Sequence, residues 1–554
     1  MLPGGGWRRV AQLPATMLLQ RAAASSSGAS VVSSANSMTD EFPDHTDYLA
    51  RILNARVYEL AIETPLQPAP CMSKTIHNNV LFKREDLQPV FSFKLRGAYN
   101  KIVSTPAADL ERGVVACSAG NHAQGVALSA SRKNIKAVIV MPLATPQIKV
   151  NAVKRFGGPT VVVKLHGKNY DEASEEAQRL SREEGLTMIH PFDDPDVIAG
   201  QGTIGMEILK ATNGQPLDAI FVCVGGGGLL SGVAAYVKAV RPSVKVIGVE
   251  AEDAAGMTTS LQAGHVVALD RVGLFADGAA VRVVGRETFR LCSHLVDEMV
   301  TVTTDEICAA IKAGFQDTRS VMEPAGALAI AGAQKYCAAQ QWRGKTVVAI
   351  ASGANMDFDR LRFVSERSDS TETLLSVRIN ERPGSFRQLY SGIFPRNVTE
   401  FSYRFNSPDT ADVIISFQCM AGASREEDKQ QVLENIRNLD FEVVDLSGNE
   451  MAKAHARYLA GGRAPHVKHE QLYRFEFPER PGALHAFLTD LNKGWNVSLF
   501  HYRNQGGDIG RVLVGLQVPP KEVGQFHDWL TTLPQLGYVW YAETKNPVYF
   551  QFLY

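Results

Sequence analysis

Between residues 80 and 364, short β-branched runs alternate with longer helical patterns, and few folds accept that alternation. Strands are expected at Val114–Cys117, Ala137–Met141 and residues 160–163, 219–224, 244–249 and 346–350. Between them, Tyr170–Glu184 is rich in Glu, Ala, Gln and Arg, most of which lose little rotamer freedom in a helix. Residues 305–316 open with Thr303-Thr304-Asp305-Glu306, a capping box, and place Ile307, Ala310 and Ile311 on one face. Neighbouring parallel strands need a crossover connection, usually a helix. Strand, helix, strand repeated in this order therefore predicts an α/β fold with a mostly parallel sheet covered on both faces. Small molecules bind such sheets beyond the carboxyl ends of the strands.

Past a polar linker at residues 365–370 the texture changes and the chain repeats itself. Glu381-Arg382-Pro383-Gly384 recurs as Glu479-Arg480-Pro481-Gly482, 98 residues on. Asn397-Val398, Tyr403-Arg404 and Gln418 recur as Asn496-Val497, Tyr502-Arg503 and Gln517, each 99 residues on. Four matches in one order indicate a duplication. Each copy reads as strand, Arg-Pro-Gly turn, helix and two strands, the order of a small α+β sandwich. Gly461-Gly462-Arg463-Ala464-Pro465 reads as a flexible joint before the second copy.

At one domain per roughly 100 to 200 residues, 554 residues call for several domains. The expected division is 1–40, 41–368, 369–450 and 466–554. Residues 1–39 hold Arg8, Arg9 and Arg21, no Asp or Glu, and much Ala and Ser. That is the composition of an organelle transit peptide, for a mitochondrial matrix or a plastid stroma.

Composition removes other classes. Lys plus Arg number 57 against 58 Asp plus Glu, so the chain lacks the one-signed field that nonspecific nucleic-acid or membrane-surface binding needs. No apolar run approaches the roughly 20 residues that span a bilayer. The seven cysteines are scattered without a C-x-x-C pair, which fits neither a disulfide framework nor a zinc site.

Three loops follow expected strands closely: Ser118-Ala119-Gly120-Asn121-His122, Gly225-Gly226-Gly227-Gly228 and Ser352-Gly353-Ala354-Asn355. In a parallel sheet they meet along one edge and form a small-molecule site. The four glycines open a helix at Leu229, so unblocked backbone N–H groups are available to a phosphate. A dinucleotide fold fails on spacing, because G-x-G-x-x-G would need glycine where Leu230 or Ser231 stands. Lys94 lies in Phe91-Ser92-Phe93-Lys94-Leu95-Arg96-Gly97, an apolar setting that lowers an amine's pKa. A neutral amine condenses with an aldehyde or takes a proton, whereas a lone lysine of this kind ordinarily snorkels from a core edge. Together with an anion cradle it points to pyridoxal phosphate.

These segments, Ser92 to Ala98, Ser118 to Gly125, Gly225 to Leu229 and Ser352 to Asn355, resemble the motif set of the fold-type-II pyridoxal-phosphate enzymes. Within that group the chain is similar to the biosynthetic threonine deaminases, also called threonine dehydratases, over roughly residues 45–554. The paired Glu-Arg-Pro-Gly units resemble their two ACT-like regulatory subdomains. The resemblance implies two open α/β catalytic subdomains at 41–368 and ACT-like subdomains at 369–450 and 466–554. It implies that Lys94 carries pyridoxal 5'-phosphate and moves the substrate's α-proton, and that Asn121 bonds the ring hydroxyl. The amides of Gly225, Gly226, Gly227, Gly228 and Leu229 would grip the phosphate, Ser352 would face the pyridine nitrogen, and Ser118 and Asn121 would hold the substrate carboxylate. The implied reaction converts L-threonine to 2-oxobutanoate and ammonia, the first step of isoleucine biosynthesis. The implied effector is isoleucine, with valine as the second candidate, and the implied assembly is a homotetramer.

His122 reads as a hydrogen-bonding residue at a helix start rather than a base. Glu323, in Glu323-Pro324-Ala325-Gly326, matches a family motif near the ring, with no role assigned. Some relatives hold a divalent ion near the segment matching residues 250–256. Gly256 offers no side-chain oxygen there, so no metal is expected. Two other readings share the front motifs: a serine racemase or serine/threonine dehydratase, and a silent amino-acid sensor. The duplicated tail opposes a short catabolic form, and intact Lys94, Asn121 and Ser352 oppose the sensor.

Overall fold

The computed structural model describes residues 47–368, 372–380, 385–396, 398–403, 409–420, 425–456, 467–478, 495–502 and 509–553. The expected transit segment, both Arg-Pro-Gly turns, Arg404, Arg503 and the 461–465 joint lie outside them.

The first half holds ten strands: β1 Leu66–Pro68, β2 Asn79–Arg84, β3 Val114–Cys117, β4 Ala137–Met141, β5 Val161–Leu165, β6 Thr187–Met188, β7 Ala219–Cys223, β8 Lys245–Ala251, β9 Glu298–Val302 and β10 Thr346–Ala351. They form two sheets, one of six strands ordered β1-β2-β10-β7-β8-β9 and one of four ordered β5-β4-β3-β6. Every pair is parallel except β1 with β2 at an edge. Helices cover both faces, so the central strands must be apolar throughout. β3, β4 and β7 are buried along their whole length. Phe82, Phe221, Val347 and Ile350 share the core of the larger sheet, and Val114, Ile139 and Met141 that of the smaller one. Thr303 and Glu306 close the expected capping box at helix Thr304–Thr318, whose Ile307, Ala310 and Ile311 are buried.

One expectation needs correction. The three loops do not share the edge of one sheet. Ser118 to His122 follows β3 in the four-stranded sheet, whereas the glycine loop and Ser352 to Asn355 follow the neighbours β7 and β10 in the six-stranded one. Each sheet presents its own carboxyl edge, and the site lies between them.

Among the described residues the second half has the strands β11 Glu372–Asn380, β12 Val398–Tyr403, β13 Thr410–Gln418, β14 Glu442–Asp445, β15 Glu470–Pro478, β16 Asn496–Tyr502, β17 Ile509–Gln517 and β18 Val539–Ala542. They make two four-stranded antiparallel sheets of equivalent order, β12-β13-β11-β14 and β16-β17-β15-β18. Even the register irregularity repeats, between Val398 and Glu400 and between Val497 and Leu499. Leu374, Ile414, Leu446, Leu472, Leu513, Tyr549 and Phe552 form one apolar cluster shared by both sheets and the last helix, Pro547–Phe552.

Candidate active site

Lys94 is the first residue of helix Lys94–Ser104, and two devices fix its place. The strap before it is zipped onto the loop after β10: the Phe93 amide donates to the Ser352 carbonyl at 3.2 Å and the Ala354 amide to the Phe91 carbonyl at 2.9 Å. Phe91 turns the strap with φ 56°, a left-handed conformation that costs energy for an aromatic residue. Two residues further in, Arg96 is fully buried between two glutamates. Its Nε and Nη2 each reach Glu85 at 2.8 Å, and Nη2 also reaches Glu207 Oε2 at 2.9 Å. Lys83 joins the cluster by donating to Glu207. Such a cluster is stable only if its lone pairs are used, and here Thr64, Thr203, Tyr58 and Gln88 all contribute bonds.

The Lys94 amine donates to the Pro191 carbonyl at 2.8 Å and lies 5.4 Å and 6.0 Å from the Phe93 and Phe192 ring centroids. Burial pushes it down to about 8, against the smaller opposing pull of Cys223 and Glu323. It opens onto a cavity of about 680 Å³, whose walls include Ser118, Asn121, Gly225, Gly226, Gly227, Gly228, Leu229 and Ser352. The structure thus brings every sequence-predicted site residue to one cavity.

The glycine loop is built for an anion. Gly227 takes φ 96°, which only glycine adopts readily, and caps helix Gly228–Val240. The first amides of that helix have no intrahelical acceptors. A β-carbon at Gly226 would lie 2.2 Å from the Phe192 ring, and one at Gly228 2.9 Å from the Phe192 carbonyl. Glycine alone lets the loop close beneath Phe192 with its N–H groups free. A ledge of bare amides beside a half-buried, readily neutralised amine fits pyridoxal phosphate at both its anionic and its aldehyde ends.

Across the cavity, Asn121 Nδ2 donates to Glu323 Oε1 at 2.5 Å, and Asn355 Nδ2 donates to Asn121 Oδ1 at 2.7 Å. Burial, then the charge of Asp277, pushes the Glu323 carboxyl up to about 7. Ser352 Oγ accepts from the Cys223 thiol at 3.2 Å and donates to the Ala325 carbonyl at 3.4 Å. Burial holds that thiol protonated by pushing it up to about 11. Ser118 Oγ accepts the Gly120 amide at 3.2 Å at the start of helix Asn121–Lys133.

His122 is buried, and burial followed by the Lys94 charge lowers it to about 3. Its Nε2 donates to the Ile189 carbonyl at 2.8 Å, and Nδ1 is a buried acceptor with no partner. Glu250 caps helix Gly256–Ala263 by accepting from the Met257 and Thr258 amides, each at 2.8 Å, so its oxygens are already engaged. The sequence reading passed over Glu85, Arg96, Glu207, Phe192, Cys223 and Asp277. Only Arg96 had a local signal, because a charge two residues from Lys94 in an apolar stretch must find buried partners.

The fold and this cavity define the class of α/β enzymes built around pyridoxal phosphate. Residues 57–353 match the family described as pyridoxal-phosphate dependent enzyme, and residues 364–456 and 461–553 each match the C-terminal regulatory domain of threonine dehydratase. A biosynthetic L-threonine dehydratase of Burkholderia multivorans is 54% identical over 510 residues, which cover 92% of this chain and 99% of that one. The mitochondrial threonine dehydratase of Schizosaccharomyces pombe is 52% identical over 517 residues, 92% of this chain and 84% of that one. The processed form of threonine deaminase isoform 2 from Solanum lycopersicum superposes with a TM-score of 0.56 at 51% identity, covering 58% of this chain and 87% of that chain. The chain belongs to the threonine dehydratase family, and its cofactor is pyridoxal 5'-phosphate.

Proposed function

We propose that the protein is a biosynthetic threonine dehydratase, a pyridoxal-phosphate-dependent ammonia-lyase that converts L-threonine to 2-oxobutanoate and ammonia. The observation that carries this reading is the half-buried Lys94 amine on the same cavity as the Gly225–Gly228 ledge. Bound pyridoxal phosphate supplies the electron sink that acidifies the Cα–H of an attached amino acid. Lys94 holds the cofactor and takes the α-proton, a task for which an amine near neutrality suits it. Ser118, Asn121 and the opening amides of helix Asn121–Lys133 orient the substrate carboxylate, where the helix dipole favours negative charge. Asn121 would also hydrogen-bond the ring hydroxyl. The amides from Gly225 to Leu229 would hold the phosphate, and Ser352 would face the ring nitrogen. A serine hydroxyl, unlike a carboxylate, would not force that nitrogen to be protonated, which would favour loss of the β-hydroxyl. With the α-proton passed on to it, the β-hydroxyl would leave as water, and the released enamine would take up water to give the 2-oxo acid and ammonia.

The repeat half serves as the amino-acid sensor, with isoleucine as inhibitor, in a homotetramer targeted to a mitochondrion or plastid. Two relatives with organelle names and the acid-free leader support the targeting. Borohydride reduction of the purified holoenzyme is expected to fix a pyridoxyl group on Lys94, located by peptide mass. Lys94→Ala is expected to lower 2-oxobutanoate release from threonine by at least about 10²- to 10⁴-fold. A pyridoxyl group on another lysine, or full activity in the variant, rejects the assignment.

A further inference from the structure

One wall of the candidate active site is held from outside the catalytic sheets. Asp277–Ala279 is a short 3-10 turn on the cavity wall. A β-carbon at Gly278 would lie 3.1 Å from Ala325 Cβ and 3.5 Å from Glu323 Oε1, and one at Gly225 would lie 3.0 Å from Ala279 Cα. The turn therefore packs on the Asn121–Glu323 pair and on the anion ledge together.

Asp277 fixes it there. One carboxylate oxygen takes Lys149 Nζ at 2.7 Å and the other takes Arg360 Nη1 at 3.2 Å. Burial opposes the charge, but Lys149 and Arg360 prevail and hold the carboxyl down at about 2. Lys149 comes from helix Gln147–Gly157 beside the four-stranded sheet. Arg360 comes from Phe358–Arg360, where the chain leaves the catalytic half. Arg360 is 8% exposed, and its Nη2 also donates to the Phe275 carbonyl at 3.2 Å and the Leu274 carbonyl at 3.5 Å. The next helix, Leu361–Arg367, continues the line: the Phe363 ring lies 5.1 Å from that of Phe275, and the guanidinium of Arg511 in the second repeat stands 5.1 Å over Phe363.

We propose that Arg360 is a positioning residue for the reaction, fixing the Asp277–Ala279 turn against the cofactor ledge, and that the repeat half acts on the site through this contact. The regulatory part rests on the function proposed above. An arginine suits the task because its planar fork can hold a carboxylate and two carbonyls at once, whereas a lysine offers a single point charge.

The test compares full-length holoenzyme carrying Arg360→Ala or Arg360→Lys with the unaltered protein. Arg360→Ala is expected to weaken retention of pyridoxal phosphate on dialysis about tenfold, to raise KM for threonine about tenfold with a smaller fall in kcat, and to cut sensitivity to isoleucine about tenfold. Calorimetric isoleucine binding is expected to be unchanged, which a general loss of structure would not give. Arg360→Lys is expected to fall between, since it keeps the charge and loses the fork. Unaltered cofactor retention and KM in both variants overturn the proposal. Should Arg360→Ala not fold, the lysine variant decides by the same two readouts. If the unaltered enzyme releases no 2-oxo acid from threonine, the function reading fails. Cofactor retention needs no turnover and still decides the role of Arg360.

Discussion

Arg96 is fully buried, so its charge is balanced by Glu85 and Glu207, with Thr203 and the Ile62 carbonyl taking further N–H groups. Arg96→Met keeps the volume and helix propensity but leaves two buried carboxylates with Lys83 as the cation they still share. Breaking a buried ion pair from one side costs about 3–5 kcal/mol, and that loss is expected in chemical denaturation of the variant. Because the cluster anchors the helix that Lys94 opens, cofactor binding is expected to fall with it. Lys94 itself carries a pH signature. At pH 7 an amine with a pKa of about 8 is about one-tenth neutral, where an unperturbed lysine is about 0.04% neutral. Only the neutral form condenses with an aldehyde. The rate at which apoenzyme captures pyridoxal phosphate is therefore expected to rise as pH climbs through about 8 and then level off. A stopped-flow pH series reads it, and a rise centred two units higher would mean the amine is solvated.

At the scale of elements, the glycine loop makes the sharpest demand. Gly226→Ala drives a methyl into the Phe192 ring. Overpacking of this kind costs about 1–3 kcal/mol, and because the ledge must move, the cost is expected as weaker cofactor binding by equilibrium dialysis. Much of this scale was legible beforehand. β3, β4 and helix Tyr170–Glu184 fall where the residue pattern puts them, because apolar runs between helical stretches leave no other assignment. β2 was not legible: it ends in Lys83 and Arg84, which read as solvated until their buried partners are known. Nor could the sequence say which strands share a sheet. Pairing order is decided by how whole helices pack, so loops expected on one edge belong to two sheets. The motifs named the residues around the cavity but not those that brace it, because Asp277 and Arg360 meet only in the folded chain.

For the whole molecule, the question is whether the catalytic half stands without its sensor. The seam between the halves is polar: Lys453 pairs with Asp305, Arg367 with Glu450, and Arg511 stacks on Phe363 around a cavity of about 830 Å³. Phe363 and Val364 belong to the core of the larger sheet, so helix Leu361–Arg367 stays with the first half when the chain is cut behind it. The apolar cluster that joins the repeats draws on Leu374, Leu472 and Tyr549, all beyond the cut. Removal of everything after Ser368 therefore strands few buried apolar groups and frees charges that water can solvate, as at other inter-domain surfaces. The shortened protein is expected to fold, to keep KM for threonine within about threefold because cofactor ledge, Lys94 and Arg360 all remain, and to ignore isoleucine. Initial-rate assays of both lengths across an isoleucine series measure this. A shortened enzyme that isoleucine still inhibits would put the effector site in the first half and leave the duplicated sheets without a sensing role.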